Sequence, residues 1–284
     1  LAGTPPPPPP FPPKDAAGSR LLGTATRGAN EYEYRVWPGG RGLLDAVVGF
    51  RSGDRRLYFR GFEVRVLGGR IDDTRSPILL EQVEPMPSEQ GYLVRHHFQS
   101  VQGEFDLVGH LLMEGGVLRA KFRLDNAPPP KPWTALYLED VAAGPWSEPA
   151  HQVYAGHGNV VRRPQAFRLG FDGHRLVGFD FPVGLSVVQG VDVPPDDLRV
   201  EPSQQHYSLH VPHASTWTFI PAENVWDAVK VWRDVNGLKA AGGVKKAAGR
   251  FVFDLWGGRY GESAEALRQA FRYGLTDSMV IWHN

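Results

Sequence analysis

Five residues with side chains suited to ligand binding stand at the ends of two apolar runs close to residue 284. They are Asp254, Trp256, Trp282, His283 and Asn284. An indole ring can stack on the apolar face of a sugar ring, and carboxylate, imidazole and amide groups can hydrogen-bond hydroxyl groups. These residue types predict a site for a hydroxyl-rich ligand. The structural alternative, packing within a core, suits the two tryptophans equally well.

An arginine follows the first of these runs. Arg259 comes directly after the pair Gly257 and Gly258, which allows a loop to approach a ligand closely. We predict that Arg259 also contacts the ligand. The alternative is that Asp254 pairs with Arg259 or caps the glycine turn, in which case both residues are structural.

A histidine in a glycine-flanked turn is a further candidate. His157 lies between Gly156 and Gly158, and Asn159 follows. A histidine near a sugar can act as a general acid or base, so His157 and Asn159 are predicted to contact the ligand. The alternative is an exposed turn that binds nothing.

The composition excludes several classes of protein. The chain has 284 residues, no cysteine, and 31 basic residues against 31 acidic ones. Balanced charge argues against nucleic acid as a partner, because phosphate binding needs a basic excess on one face. The missing cysteines exclude disulfides, thiolate metal sites and thiol nucleophiles. His96 and His97 alternate on one predicted strand, so they cannot chelate one metal together. We expect neither a metal nor another cofactor.

The elements that position these residues are mainly strands. Between residues 21 and 211 apolar and polar residues alternate, as in the runs 32–37 and 57–67, and glycines end many runs. About a dozen such strands without an intervening helix predict antiparallel sheets. The predicted fold class is mainly β, with a large two-sheet β-sandwich over residues 20–220.

Two hairpins are predicted within this region. The runs 104–113 and 117–124 are joined by a Gly-Gly turn, and the runs 166–170 and 174–180 by a Phe-Asp-Gly link. Short glycine-containing links between apolar runs are typical of antiparallel hairpins.

A helical pattern follows the sandwich. Its apolar face consists of Val225, Ala228, Val229, Trp232 and Val235. Asn224 can cap the start of this helix and Gly237 its end. We assign residues 221–249 to a helical connector.

Residues 250–284 predict a strand, a helix and a second strand. Ser263 can cap the helix, Gly274 can end it, and its apolar face is Ala264, Leu267, Ala270 and Phe271. Strands joined by such a crossover lie parallel, and parallel strands are normally covered on both faces. Because the chain stops after one unit, we expect a fragment whose remaining α/β domain is absent.

Residues 1–19 form a proline-rich tail or linker. The run 5–10 is unbroken proline, which favours the extended polyproline II conformation and acts as a semi-rigid spacer. A spacer indicates an anchor or a domain before it. A run of about 18 apolar residues, as a spanning helix requires, is missing, and so is a signal peptide at Leu1. We expect an extracytoplasmic location, secreted or periplasmic.

The order of a long sandwich, a helix and the first units of a parallel α/β domain resembles a family of large glycoside hydrolases. In these enzymes a galactose-mutarotase-like supersandwich precedes a (β/α)8 barrel, as in α-galactosidases and endo-α-N-acetylgalactosaminidases. The residues that carry the resemblance are Tyr154-Ala155-Gly156-His157-Gly158-Asn159, Val177-Gly178-Phe179-Asp180-Phe181, Thr216-Trp217-Thr218-Phe219-Ile220-Pro221 and Phe251-Val252-Phe253-Asp254-Leu255-Trp256-Gly257-Gly258.

The resemblance implies an active site at the carboxyl ends of the barrel strands. Asp254 would stand there and accept hydrogen bonds from sugar hydroxyls. A barrel needs about 250 residues, so the segment 250–284 would be only the start of a truncated barrel. Glycoside hydrolysis usually requires two carboxylates, and Asp277 precedes its strand, at the opposite end. Catalytic residues therefore stay unassigned, and the chain alone is expected to be inactive.

The leading hypothesis is the N-terminal portion of a carbohydrate-active hydrolase, with its own missing barrel domain as partner. One alternative is a non-catalytic carbohydrate-binding or structural sandwich module, because a fold does not imply catalysis. Such a module has no need of residues 251–284. The second alternative is a mutarotase-like sugar isomerase. Such an enzyme needs a histidine and a glutamate that face one concave sheet, and His157, Glu104 and Glu201 are the candidates.

Overall fold

The computed structural model describes residues 18–38, 46–67, 79–100, 103–126, 135–143, 150–155, 159–170, 175–195, 197–204, 206–212, 216–239 and 241–283. Four of the sequence-based expectations fall outside these residues. They are the polyproline run 5–10, the Phe-Asp-Gly link 171–173, the turn with His157, and Asn284.

Seventeen strands precede the first α-helix in the described part of the chain, and a single 3-10 turn (Pro202–Gln204) lies between the fifteenth and sixteenth strands. They are β1 (Arg20–Arg27), β2 (Asn30–Pro38), β3 (Ala46–Ser52), β4 (Arg55–Leu67), β5 (Leu79–Met86), β6 (Tyr92–Ser100), β7 (Gly103–Glu114), β8 (Val117–Asp125), β9 (Ala135–Ala143), β10 (Gln152–Tyr154), β11 (Val160–Arg162), β12 (Phe167–Gly170), β13 (Leu176–Phe181), β14 (Leu185–Val191), β15 (Asp197–Glu201), β16 (His206–Pro212) and β17 (Thr216–Ala222).

These strands form two antiparallel sheets. The eight-stranded sheet has the order β1-β2-β3-β4-β9-β16-β15-β12, and the nine-stranded sheet has the order β11-β10-β13-β14-β17-β8-β7-β6-β5. The expectation of a mainly β chain with a large two-sheet sandwich is confirmed.

Aromatic side chains from both sheets fill the space between them. On β2, Tyr32, Tyr34 and Val36 are buried while the residues between them are not, which is the period of two that one buried face requires. The rings of Phe59 on β4 and Phe219 on β17 meet edge to face, with centroids 5.0 Å apart. This contact crosses from one sheet to the other and therefore defines the interior of the sandwich.

One predicted hairpin is confirmed and the other is wrong. β7 and β8 pair directly across Gly115 and Gly116, which have φ of 58° and 76°, as a two-residue hairpin turn requires. The runs 166–170 and 174–180, in contrast, do not pair: β12 pairs with β15, whereas β13 lies in the other sheet between β10 and β14. A short link can join neighbours in one sheet or cross between two sheets, and local sequence does not distinguish the two.

The predicted helix is α1 (Val225–Val235), which packs on the outer face of the nine-stranded sheet. Asn224 caps it, because its Oδ1 accepts a hydrogen bond of 3.0 Å from the N–H of Asp227. The carboxylate of Asp180 on β13 accepts the N–H of Val225 at 3.1 Å and also a hydrogen bond from the hydroxyl of Ser186. The start of the helix is therefore tied to the sheet beneath it.

Two glycines on that sheet allow the helix to approach closely. A Cβ on Gly178 would lie 2.6 Å from Cγ1 of Val225, and a Cβ on Gly190 would lie 2.5 Å from Cδ1 of Trp232. Real carbon atoms do not approach so closely, so both positions require glycine for this packing.

The chain divides into two compact units, one ending at Asn236 and the second beginning at Gly237. The second unit contains α2 (Val244–Ala247), β18 (Phe251–Trp256), α3 (Tyr260–Arg272) and β19 (Ser278–His283).

Helix α3 begins one turn earlier than expected. Ser263 lies inside the helix and does not cap it. The N-cap residue is Arg259, whose N–H donates a hydrogen bond of 3.3 Å to the carboxylate of Glu262. Phe271, predicted on the apolar face, is exposed. The apolar spacing revealed the helix, but the residue that begins it depends on backbone geometry just after β18. Gly274 follows the helix with φ of 89°, the predicted left-handed end.

Candidate functional site

The second unit places the predicted site residues through a parallel pair of strands. β18 and β19 pair in parallel, with Asp254 opposite Ile281 and Trp256 opposite His283. Parallel strands have their carboxyl ends at the same edge of the sheet, and side chains alternate between its two faces. Asp254, Trp256 and His283 therefore lie on one face, at the carboxyl edge.

A glycine pair ends β18 at this edge. Gly257 and Gly258 have φ of 71° and 85°, a left-handed region that residues with a Cβ avoid. The chain can thus leave the strand and enter α3 within three residues. Because the turn between β18 and α3 is so short, it does not fold over the carboxyl edge of the strand pair.

Asp254 holds two rings in place. Its Oδ1 lies 2.7 Å from Nε2 of His283, and its Oδ2 accepts a hydrogen bond of 3.0 Å from Nε1 of Trp256. The two rings stack with centroids 3.9 Å apart and planes 9° from parallel. A carboxylate only accepts hydrogen bonds, so Nε2 of His283 is the donor in this contact.

This cluster is open to solvent on the described surface of the chain. The indole of Trp256 is 74% exposed, although it stacks on His283, and about half of the Asp254 side chain is exposed. An aromatic platform beside a carboxylate and an imidazole can stack on a sugar ring and hydrogen-bond its hydroxyls. The cluster can therefore bind and orient a ligand of this kind.

The nearest strand-flanking acid does not complete a catalytic pair. Asp277 precedes β19, and its Oδ1 lies 3.0 Å from Nε of Arg250 at the amino-terminal end of the strand pair. A retaining or inverting glycosidase needs two carboxyl groups roughly 5–10 Å apart on either side of the scissile bond. Asp254 is therefore suited to binding, whereas Asp277 pairs with Arg250 at the other end of the unit.

The site residues predicted from the sequence lie on both faces of the strand pair. Trp282 lies opposite Leu255 in the register, so it points to the other face from His283. Its ring stacks on Tyr260 at the start of α3, with centroids 4.4 Å apart. Sequence reasoning placed Trp282 and His283 at one site. Neighbouring residues of a strand point to opposite faces of the sheet. This alternation along β19 was the sequence signal that could have assigned Trp282 and His283 to different faces.

The structure does not bring all the predicted residues together. Asp254 bonds to Trp256 and His283 rather than to Arg259, and Arg259 is the N-cap residue directly before α3. Asn159 is an exposed residue of the first unit, where its carbonyl accepts the N–H of Ala155 at 3.0 Å. Tyr260, which lies 72% exposed beside the glycine turn, was not assigned to the site from the sequence.

Across the described residues, histidine and acidic side chains do not assemble in groups of three that could hold a metal ion. Among the described helices, none combines the length and the apolar character that a membrane span requires.

Comparisons with known proteins show the fold. No known family and no curated protein matches the sequence. Among solved structures, the chain is similar to the α-N-acetylgalactosaminidase NagBb from Bifidobacterium bifidum in complex with GalNAc, with a TM-score of 0.50 and 10% identity. The match covers 89% of this chain and 50% of the other, so the chain spans half the length of that enzyme. This likeness shows that the chain shares the fold of the matched half of that structure.

Proposed function

We propose that this chain is the N-terminal portion of a carbohydrate-active glycoside hydrolase. In this proposal the sandwich supports a (β/α)8 barrel, and β18, α3 and β19 are the first elements of that barrel. The likeness to the α-N-acetylgalactosaminidase supports the proposal, because it extends over 89% of the chain. The missing barrel would supply the catalytic carboxylates.

The observation that carries the proposal is the cluster of Asp254, Trp256 and His283 at the carboxyl edge of a parallel strand pair. Barrel enzymes bind their substrates at this edge. We infer that Trp256 stacks on a sugar ring, that Asp254 accepts hydrogen bonds from its hydroxyls, and that Nδ1 of His283 accepts another. A terminal α-linked N-acetylgalactosamine is the first substrate to test, because the similar structure holds that sugar.

The exposed apolar side chains of the strand pair also support a missing barrel. Val252 and Ile281 on one face are 41% and 40% exposed, and Phe251 and Val280 on the other are 53% and 41% exposed. Parallel sheets are normally covered on both faces. Further strands and helices of a barrel would provide that cover.

The first test is the length of the reading frame beyond the codon for Asn284. We expect about 200 or more further residues with repeating strand–helix units. A stop codon directly after Asn284 would contradict the hydrolase, and glycan-array binding would then test the binding-module alternative.

The second test measures hydrolysis of an aryl α-N-acetylgalactosaminide by the protein of the complete reading frame. Asp254→Asn should lower kcat/KM at least tenfold, because one hydrogen bond between a charged group and a substrate contributes about 1.5–3 kcal/mol. The matched control is Asp277→Asn, which removes a carboxylate at the opposite end of the same strand pair. Residues 1–284 alone should be inactive. Equal losses in the two variants, or full activity of residues 1–284, would contradict the proposal.

A further inference from the structure

We propose that the chain of residues 1–284 unfolds in two steps, and that the second unit opens first while the sandwich stays folded. The candidate site of Asp254, Trp256 and His283 is then formed and lost with the second unit alone. Neither sugar binding nor hydrolysis enters the test, so the proposal holds or fails independently of the function proposed above.

The two units differ in how much apolar surface they bury. In the sandwich, side chains such as Phe59, Trp217 and Phe219 are almost completely buried between the sheets. In the second unit, no residue of the fully described range 241–283 is buried. Burial of apolar surface is the main favourable contribution to folding, and it has to offset the loss of conformational entropy. The second unit therefore has much less to stabilise it than the sandwich.

The secondary structure of the second unit does not replace a core. β18 and β19 form a sheet of only two strands, and an isolated pair of strands is marginally stable in water. α3 has 13 residues, a length at which isolated helices are marginal as well. The ion pairs of Arg250 with Asp277 and of Asp254 with His283 are exposed to solvent, and exposed pairs contribute little. Each element of this unit is thus of low stability.

The segment 241–249 allows the two steps to be separate. α1 ends on the sandwich, where Nδ2 of Asn236 donates a hydrogen bond of 2.7 Å to the carbonyl of Trp232. Residues 241–249 lie farther along the chain, and all except the half-buried Ala247 are exposed. Helix α2 in this segment has four residues, and a Cβ on Gly242 or Gly243 would have no atom within 4 Å. A segment with so few packed atoms can open while α1 stays in place.

Hydrogen exchange of the full chain, followed by ¹H–¹⁵N NMR, measures the opening of each unit. The amides to compare are those that form ladder hydrogen bonds, in β18 and β19 of the second unit and in β14 and β17 of the sandwich. After correction for intrinsic rates, the amides of β18 and β19 should exchange at least about 100-fold faster than those of β14 and β17. A smaller difference would mean that the two units open together, and would overturn the proposal.

Two matched variants affect one unit each. Trp282→Ala removes the stack on Tyr260 within the second unit, so it should speed exchange in β18 and β19 and leave β14 and β17 unchanged. Gly190→Ala disturbs the packing of α1 on the sandwich, and should have the opposite pattern. If Trp282→Ala unfolds the second unit altogether, unchanged exchange in the sandwich still supports the proposal. Equal acceleration in both units by either variant would overturn it.

Trypsin digestion of the full chain detects the same opening by a different signal. Lys245 and Lys246 lie in the segment 241–249, whereas Lys230 lies in α1 with 63% of its side chain exposed. A protease cuts where the backbone opens, so exposure of a side chain is not sufficient for cleavage. We expect fragments that end at Lys245 or Lys246 to persist with Lys230 intact. Cleavage after Lys230 at the same rate would contradict the proposal.

Discussion

The Nε2 atom of His283 lies 2.7 Å from Oδ1 of Asp254, although 29 residues separate the two along the chain. Their contact depends on the parallel pairing of β18 with β19, which brings the ends of both strands to one edge. The indole of Trp256 bonds to the other oxygen of the same carboxylate. One carboxylate therefore orients both rings of the candidate site.

We predict that Asp254→Ala releases both rings. The indole N–H signal of Trp256 should move to the position of a solvated indole, and His283 should no longer favour the tautomer with the proton on Nε2. The loss of stability should stay below about 1 kcal/mol, because the pair is exposed to solvent. ¹H–¹⁵N NMR of both side chains checks this. Asp277→Ala is the control and should leave both signals in place, whereas an unchanged Trp256 signal in Asp254→Ala would contradict the geometry.

The packing of α1 on the sandwich gives a second prediction. Gly190→Ala should lower the free energy of unfolding by about 1–3 kcal/mol, because the new methyl group collides with the indole of Trp232. Urea unfolding measures the change. Gly242→Ala is the matched control, because nothing lies within 4 Å of a Cβ at that position. Adding Trp232→Leu to Gly190→Ala should recover part of the loss. Without such recovery, the proposed collision is not the cause.

A buried tyrosine of the first unit gives a third prediction. The N–H of Ala150 donates a hydrogen bond of 2.6 Å to the hydroxyl of Tyr207, and both residues are buried. Tyr207→Phe leaves that N–H without an acceptor, and should lower the free energy of unfolding by about 1–3 kcal/mol. Tyr273→Phe, at a position 87% exposed, should change it little. Similar losses in the two variants, measured by urea unfolding, would argue against this hydrogen bond.

The same tyrosine and two others predict the behaviour of the chain at alkaline pH. Burial raises the pKa of Tyr32, Tyr34 and Tyr207 above the ordinary value of 10.0. The folded chain then keeps protons that the unfolded chain loses above pH 10, so the stabilisation is complete below that pH and is lost as the pH rises through the raised pKa values. Tyrosinate absorbance and near-UV circular dichroism, recorded together, should show these residues ionising as the fold is lost. Ionisation of all nine tyrosines at pH 10 with the fold intact would contradict the prediction.

Much of the fold could be predicted from local sequence. The alternation on β2, the Gly-Gly turn between β7 and β8, and the cap Asn224 are local signals, because each depends on residues a few positions apart. The predicted hairpin between 166–170 and 174–180 failed, since the choice between pairing and crossing is made by the distant strand β15. The start of α3 was misplaced because backbone geometry after Gly258, and not the apolar spacing, decides it.

Residue type and hydrophobic patterning were enough to identify the residues at the strand ends. Asp254, Trp256 and His283 could be named from residue type and from the end of each apolar run. The register between β18 and β19, which puts all three on one face, and the stacking of Trp282 on Tyr260 depend on the tertiary structure. Local patterns specify where a strand ends and which residues alternate along it. Pairing and register depend on contacts between residues far apart in the chain, and those contacts bring His283 to Asp254.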